Sequence, residues 1–142
     1  MIEKRPKRRS TCPINASLEV LGDRWSLLIV RDLMFGGART YKDFRSSDEG
    51  IATNVLASRL LKLQDFGIVT SDRDPQDGRS FIYRLTAKGV DLAPVLMELS
   101  RWGTRFEGGE PPGGILQAWE TNPHAFLAQI RDELLEIPGS NG

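Results

Sequence analysis

Residues 52–86, ATNVLASRLLKLQDFGIVTSDRDPQDGRSFIYRLT, change their hydrophobic period partway along the stretch. From Ala52 to Phe66 the apolar side chains recur every three or four residues, which predicts an amphipathic helix ended by a glycine. The segments 68–73 and 81–85 predict two short strands. The turn-forming residues 74–78 between them predict a β-hairpin whose loop is somewhat longer than the tightest kind.

Three shorter helices are predicted before this stretch. Residues 13–21 have apolar side chains at helical spacing, and Asp23 can cap the next helix, in which Trp25, Leu28, Ile29 and Leu33 form a stripe. A short helix follows at 40–45. We therefore expect a mainly α-helical fold with a small β-hairpin, in the element order of a winged helix–turn–helix.

After the hairpin, Thr86 can cap a long helix that reaches about Phe106, in which Pro94 is expected to introduce a kink. Residues 107–114 predict a Gly/Pro linker, and 115–137 predict one or two helices broken near Asn122-Pro123. The predicted organisation is a flexible basic arm at 1–11, a winged helix–turn–helix domain at 12–106, and a linker with a helical extension at 107–142.

The composition of the 142-residue chain, 39% hydrophobic and 27% charged, is that of an ordinary globular protein. No apolar run approaches the roughly 20 residues that span a bilayer, and no export signal is evident, so we expect a cytoplasmic protein without membrane association. Its single cysteine, Cys12, excludes an internal disulfide framework. Because the sequence contains no catalytic triad, phosphate-binding glycine loop or metal-ligand pattern, neither an enzyme nor a cofactor is expected.

The predicted helix at 52–66 has a polar side suited to the major groove of DNA. Asn54 can pair with adenine through its amide, Thr53 and Ser58 can donate or accept hydrogen bonds, and Ala57 can contact a thymine methyl group. Arg59 and Lys62 suit phosphates better. The alternative is a merely solvated helix face, which the same residue types also form.

Basic residues near the hairpin and at the N-terminus suggest contacts with the DNA backbone, although the net charge of the chain is zero. Arg79 follows the turn and is the best placed of the hairpin arginines for a phosphate or the minor groove. Arg73 and Arg84 lie nearby, but neighbouring aspartates could pair with any of the three. The arm contributes five further cations: Lys4, Arg5, Lys7, Arg8 and Arg9.

Four stretches together resemble the HxlR-type family of bacterial winged-helix regulators. They are Cys12-Pro13, GDRWSLLIVRDLMFGGARTYKDF (22–44), EGIATNVLASRLLKLQDFGIV (49–69), and YRLTAKGVDLAPVL (83–96) with Trp102-Gly103 after it. The resemblance implies a homodimer whose first and last helices pack across a two-fold axis and which binds an inverted-repeat operator in double-stranded DNA. It also implies base reading by Thr53, Asn54 and Ser58, and a wing that contains Arg79.

Two positions depart from the family pattern. Many members place arginine before the aromatic residue of the short helix, where this chain has Thr40, preceded by Arg39; we include both in the DNA-binding set. Many members also begin the recognition helix with serine, where this chain has Ala52, so the cap of that helix must come from elsewhere.

Cys12 is a candidate site for a redox or small-molecule effector. In some family members the cysteine at this position senses oxidants or electrophiles, and a helix N-terminus together with Arg8 and Arg9 would favour the reactive thiolate. The alternative is a cysteine that only packs. For the whole chain, the competing function is a winged helix that binds proteins and has no sequence-specific contact with DNA.

Overall fold

The computed structural model describes residues 7–111 and 113–135. Within those ranges the predicted fold class is confirmed: helices dominate, and one antiparallel hairpin is present. The chain divides into two compact units, one up to Thr86 and the other from Ala87 onward. The elements are α1 (Pro13–Leu21), α2 (Ser26–Met34), α3 (Tyr41–Arg45), α4 (Thr53–Asp65), β1 (Val69–Asp74), β2 (Asp77–Leu85), α5 (Ala87–Val90), α6 (Ala93–Phe106), α7 (Ile115–Thr121) and α8 (Pro123–Leu135).

The core of the first unit lies where α2 and α4 pack on each other and on the hairpin. Three positions of the predicted stripe on α4 are fully buried, and Phe44 of α3 meets Tyr83 of β2 edge to face, with ring centroids 6.0 Å apart. Burial of these apolar side chains is the main force that holds α4 in place. The buried residues of α2 and α4 include Ile29, Val30, Leu33, Leu56, Leu60 and Leu63.

The corner between α1 and α2 is built on Asp23, as predicted. Its Oδ1 accepts hydrogen bonds from the backbone N–H groups of Trp25 and Ser26, both at 2.8 Å. The hydroxyl of Ser26, which is completely buried, donates to Oδ2 at 2.6 Å. Asp23 thereby satisfies donors in the first turn of α2 that have no partner within the helix.

The expected long hairpin loop is wrong. Asp74 pairs with Asp77, so the loop consists of only Pro75 and Gln76, and β2 begins four residues earlier than expected. The Asp74 carboxylate accepts from the Gln76 N–H at 2.9 Å and closes this turn. The register shifts between Arg73 and Asp74. Residues 78–80 are therefore accommodated as a bulge in β2 and not as part of the loop.

The single long helix predicted after Thr86 is also wrong, because the structure contains two helices, α5 and α6. Pro94 has no N–H to donate to the carbonyl of Val90, so the helical hydrogen-bond ladder stops there and a new helix starts with Pro94 in its first turn. A kink was expected at Pro94, but the structure shows a full interruption of the helix between Val90 and Ala93.

The second unit combines α5 and α6 with the C-terminal helices. The predicted break near Asn122-Pro123 is confirmed, since α7 ends at Thr121 and α8 begins at Pro123. Helix α8 packs on α5, α6 and α7, and Trp119 meets Phe126 edge to face at 5.9 Å. The predicted extension at 107–142 therefore supplies α7 and α8 to the same unit as α5 and α6.

Part of the predicted basic arm can be placed. Lys4 and Arg5 lie outside the described residues, whereas Lys7, Arg8 and Arg9 are exposed. Arg9 donates to the Asn15 side chain at 2.7 Å.

Among the helices that the structure describes, none is long and apolar enough to cross a membrane.

Candidate nucleic-acid interface

A capping box fixes the start of α3, and one hydrogen bond from α3 reaches the start of α4. Thr40 and Asp43 form a capping box: the Thr40 hydroxyl accepts from the Asp43 N–H, and the Asp43 carboxylate accepts from the N–H groups of Arg39 and Thr40. These hydrogen bonds lower the pKa of Asp43, and the one from the Arg39 N–H has the largest effect. Tyr41 donates its hydroxyl to the carbonyl of Thr53 at 3.0 Å. The start of α4 is thus tied directly to α3.

The predicted base-reading residues occupy exposed positions of α4: Asn54 and Ser58 lie on the side opposite the core, and Thr53 is the first residue of the helix. Thr53, Asn54 and Ser58 are all exposed, and Ala57 is half-buried. The Ser58 hydroxyl accepts from the Arg59 guanidinium at 3.1 Å, while the Asn54 amide makes no hydrogen bond to any other described residue. An amide with free donor and acceptor groups on a solvent-facing helix is able to pair with a base edge.

The N-terminus of α4 has no side-chain cap. Ala52 occupies the cap position in an extended conformation, and the first helical hydrogen bond runs from the Leu56 N–H to the Ala52 carbonyl. The expected replacement for the missing serine is therefore not supplied by a side chain. Exposed backbone N–H groups at the start of a helix are suited to a phosphate oxygen.

Arg59 and Lys62 are both engaged by Asp23, a contact that the sequence did not indicate. Arg59 Nε lies 3.1 Å and Lys62 Nζ 3.5 Å from the Asp23 carboxylate. Burial of Asp23 would raise its pKa, but the hydrogen bonds from Ser26 and Trp25 together with the Arg59 guanidinium outweigh that effect and hold the pKa well below its ordinary value. In the structure these two cations join α4 to the α1–α2 corner.

The β1–β2 hairpin (residues 69–85) is the predicted wing, and its three arginines differ in the contacts that they make within the chain. Arg84 forms an ion pair with Asp72 at 3.3 Å, and Arg73 donates to the Gly78 carbonyl while its guanidinium lies 5.1 Å from the Phe81 ring centroid. Arg79 is exposed, and its side chain forms no ion pair within the described residues. Only its backbone is held, by donation to Asp77 at 3.1 Å. Arg79 is therefore the wing arginine most able to reach DNA.

The loop before α3 brings another cation beside the wing. The Tyr83 N–H donates to the Arg39 carbonyl at 2.8 Å, which ties the Arg39 backbone to β2. The Arg39 side chain is exposed, as are those of Lys42 and Arg45, which sequence reasoning missed. Their i, i+3 spacing on the side of α3 away from Phe44 was the available signal. Thr40 differs from these cations because its hydroxyl accepts a hydrogen bond from the Asp43 N–H in the capping box.

Cys12 is exposed at the cap position of α1. Its carbonyl accepts from the Ala16 N–H at 3.0 Å, and its own N–H donates to the Ser10 hydroxyl at 3.3 Å. The thiol is therefore accessible to reagents at the start of a helix.

Nothing in the described part of the chain groups three or more His, Cys, Asp or Glu side chains as a metal site would require.

The sequence of residues 20–110 matches the model of the HxlR-like helix-turn-helix family. A similar protein is the uncharacterized HTH-type transcriptional regulator sll1512 of Synechocystis, which is 33% identical over 93 residues, covering 66% of this chain and 68% of that protein.

Two solved structures are similar as well. PA1607, a putative transcription factor by its description, is 37% identical and has a TM-score of 0.63 over 74% of this chain and 70% of its own. The reduced form of the transcriptional regulator YodB from Bacillus subtilis is 31% identical, with a TM-score of 0.57 over 71% of this chain and 100% of its own. YodB has also been solved diamide-treated and quinone-bound.

Proposed function

The chain belongs to the HxlR-like helix-turn-helix family of transcriptional regulators, and on that premise we propose that it binds an inverted-repeat operator as a homodimer. The observation that carries the proposal is the exposed side of α4, where the Asn54 amide is free between Thr53 and Ser58. Hydrogen-bonding groups near the N-terminus of such a helix read base edges in the major groove.

The cations that remain free around α4 are suited to contacts with the DNA backbone. Arg79 on the wing and Arg39 before α3 are the candidates that the sequence predicts, and Lys42 and Arg45 extend the same set. Arg59 and Lys62 contribute only if DNA competes with Asp23 for them. Phosphate contacts fix the orientation of the protein on DNA and make its affinity depend on salt.

Exposed apolar stripes on two helices support the homodimer. On α6, Leu99, Trp102 and Phe106 are 51%, 58% and 59% exposed, although each is large and apolar. On α1, Ile14 and Leu18 are similarly exposed. A contiguous apolar stripe of this kind marks a surface that another protein covers. A second copy on a two-fold axis would present two α4 helices to an inverted repeat.

Titration of the DNA upstream of the gene tests operator binding. We expect a Kd in the nanomolar range that weakens steeply as salt rises, and at least about 1,000-fold weaker binding to unrelated DNA. The double variant Asn54→Ala/Arg79→Ala should lose this preference while its circular dichroism is unchanged. Equal binding to both DNAs by the wild type would instead favour the alternative, a winged helix that binds proteins.

For regulation, we propose that Cys12 responds to electrophiles or oxidants. The support is its exposure at the start of α1, a helix that belongs to the proposed dimer contact, and the similarity to YodB, which has been solved with a quinone bound. Alkylation by a quinone should lower operator affinity in the wild type and leave Cys12→Ser unaffected. If the wild type carries the adduct, proven by mass spectrometry, and still binds with unchanged affinity, Cys12 is not a sensor.

A further inference from the structure

The outer side of α4 also carries an apolar residue, Leu61, which is 63% exposed. At 3.6 residues per turn, Leu61 lies within about 60° of both Asn54 and Ser58 around the helix axis. These three side chains therefore share one face, directly opposite the buried Leu56, Leu60 and Leu63. Leu61 stands about 4.5 Å further along the axis than Ser58, since the helix rises 1.5 Å per residue.

Leu61 has polar neighbours on its own helix face. Asn54 and Ser58 precede it, and Asp65 follows it by one turn. The other large exposed apolar residues described up to Thr86 are on different elements, Ile14 and Leu18 on α1 and Phe81 on β2. A protein interface is usually marked by a contiguous apolar patch, and no second large apolar side chain is exposed on α4. An exposed alkyl group beside hydrogen-bonding side chains instead fits the major-groove edge of an A·T pair, which presents the thymine methyl group next to hydrogen-bonding atoms.

We propose that Leu61 is a specificity-determining residue that packs against the C5 methyl group of a thymine. This inference rests on the proposed binding of α4 in the major groove. Because a recognition helix lies along the major groove, the distance of about 4.5 Å from Ser58 to Leu61 along α4 places the thymine about one base pair beyond the position that Ser58 faces. Leu61 thus extends the reading of the operator by one apolar contact in each half-site.

The test begins with selection of DNA from a random duplex pool by three proteins: the wild type, Leu61→Ala and Leu61→Met. Both substitutions suit an exposed helix position, and methionine keeps most of the apolar contact. We expect the wild type and Leu61→Met to enrich thymine at the position that Leu61 faces in each half-site, about one base pair beyond that of Ser58. Leu61→Ala should lose that enrichment and keep the positions read by Asn54 and Ser58.

Replacing that thymine with deoxyuridine removes the methyl group and leaves the base pairing unchanged. We expect the wild type to bind the substituted operator about four-fold more weakly per half-site, which corresponds to about 0.8 kcal/mol, and Leu61→Ala to bind both operators equally. A wild type indifferent to deoxyuridine, or identical preferences for all three proteins, would overturn the role of Leu61 alone. A wild-type pool that does not converge would refute the proposed function and this inference together.

Discussion

Replacing Asp23 with alanine should strongly destabilise the first unit. The side chain is only 18% exposed and accepts hydrogen bonds from two backbone N–H groups and from the buried Ser26 hydroxyl, in addition to its contacts with Arg59 and Lys62. A lost helix cap costs about 1 kcal/mol, and a lost hydrogen bond to a charged group costs about 1.5–3 kcal/mol. Because these terms overlap, we expect the free energy of unfolding to fall by about 2–4 kcal/mol.

The effect should depend on pH in a direction that the pKa of Asp23 sets. The folded state holds this pKa below its ordinary value of 3.8, so it favours the charged carboxylate. The stabilisation is therefore fully present above pH 3.8 and is lost as the pH falls through the lowered pKa of the folded state. The gap in stability between the wild type and Asp23→Ala should be constant from pH 7 to about pH 5 and should narrow towards pH 3.

Urea unfolding at fixed protein concentration, followed by circular dichroism at each pH, measures this gap. Asp48→Ala is the matched control, because Asp48 is exposed and forms no ion pair within the described residues; it should change stability by less than about 0.5 kcal/mol. The double variant Asp23→Ala/Arg59→Ala isolates the coupling between the two side chains. A loss below about 1 kcal/mol at pH 7, or a gap that does not change with pH, would refute the reasoning.

Three further substitutions test the interface and the fold. Tyr41→Phe removes the hydrogen bond to the Thr53 carbonyl and should cost about 0.5–1.5 kcal/mol in urea unfolding, together with weaker operator binding; full retention of both would show that this bond does not position α4. Gly67→Ala forces alanine to adopt a φ of +74° and should lower the free energy of unfolding in urea by about 1–2 kcal/mol. Gly113→Ala, at an exposed site, should leave this free energy unchanged. Trp102→Glu should shift the protein to a monomer in light scattering and weaken operator binding; an unchanged mass would place the dimer contact elsewhere.

The sequence by itself determined the order and type of most elements. Helical periodicity and the turn residues identified α1 to α4, the hairpin and the break between α7 and α8, because these signals depend on residues close together in the chain. The same local signals located the candidate base readers, Thr53, Asn54 and Ser58, on the polar side of α4. They did not fix the hairpin register, because turn residues spread over 74–78 allowed more than one pairing.

Only the tertiary structure decided which cations are free to meet DNA. Arg59 and Lys62 looked equivalent to other exposed basic residues, yet Asp23, which lies 39 residues before Lys62 in the chain, holds both of them. Arg39 and Arg79 remain exposed, while Arg84 is paired across the hairpin. The composition of a sequence determines only how many cationic side chains a protein has. Whether each one is neutralised depends on partners within about 4 Å in space, which only the fold brings together.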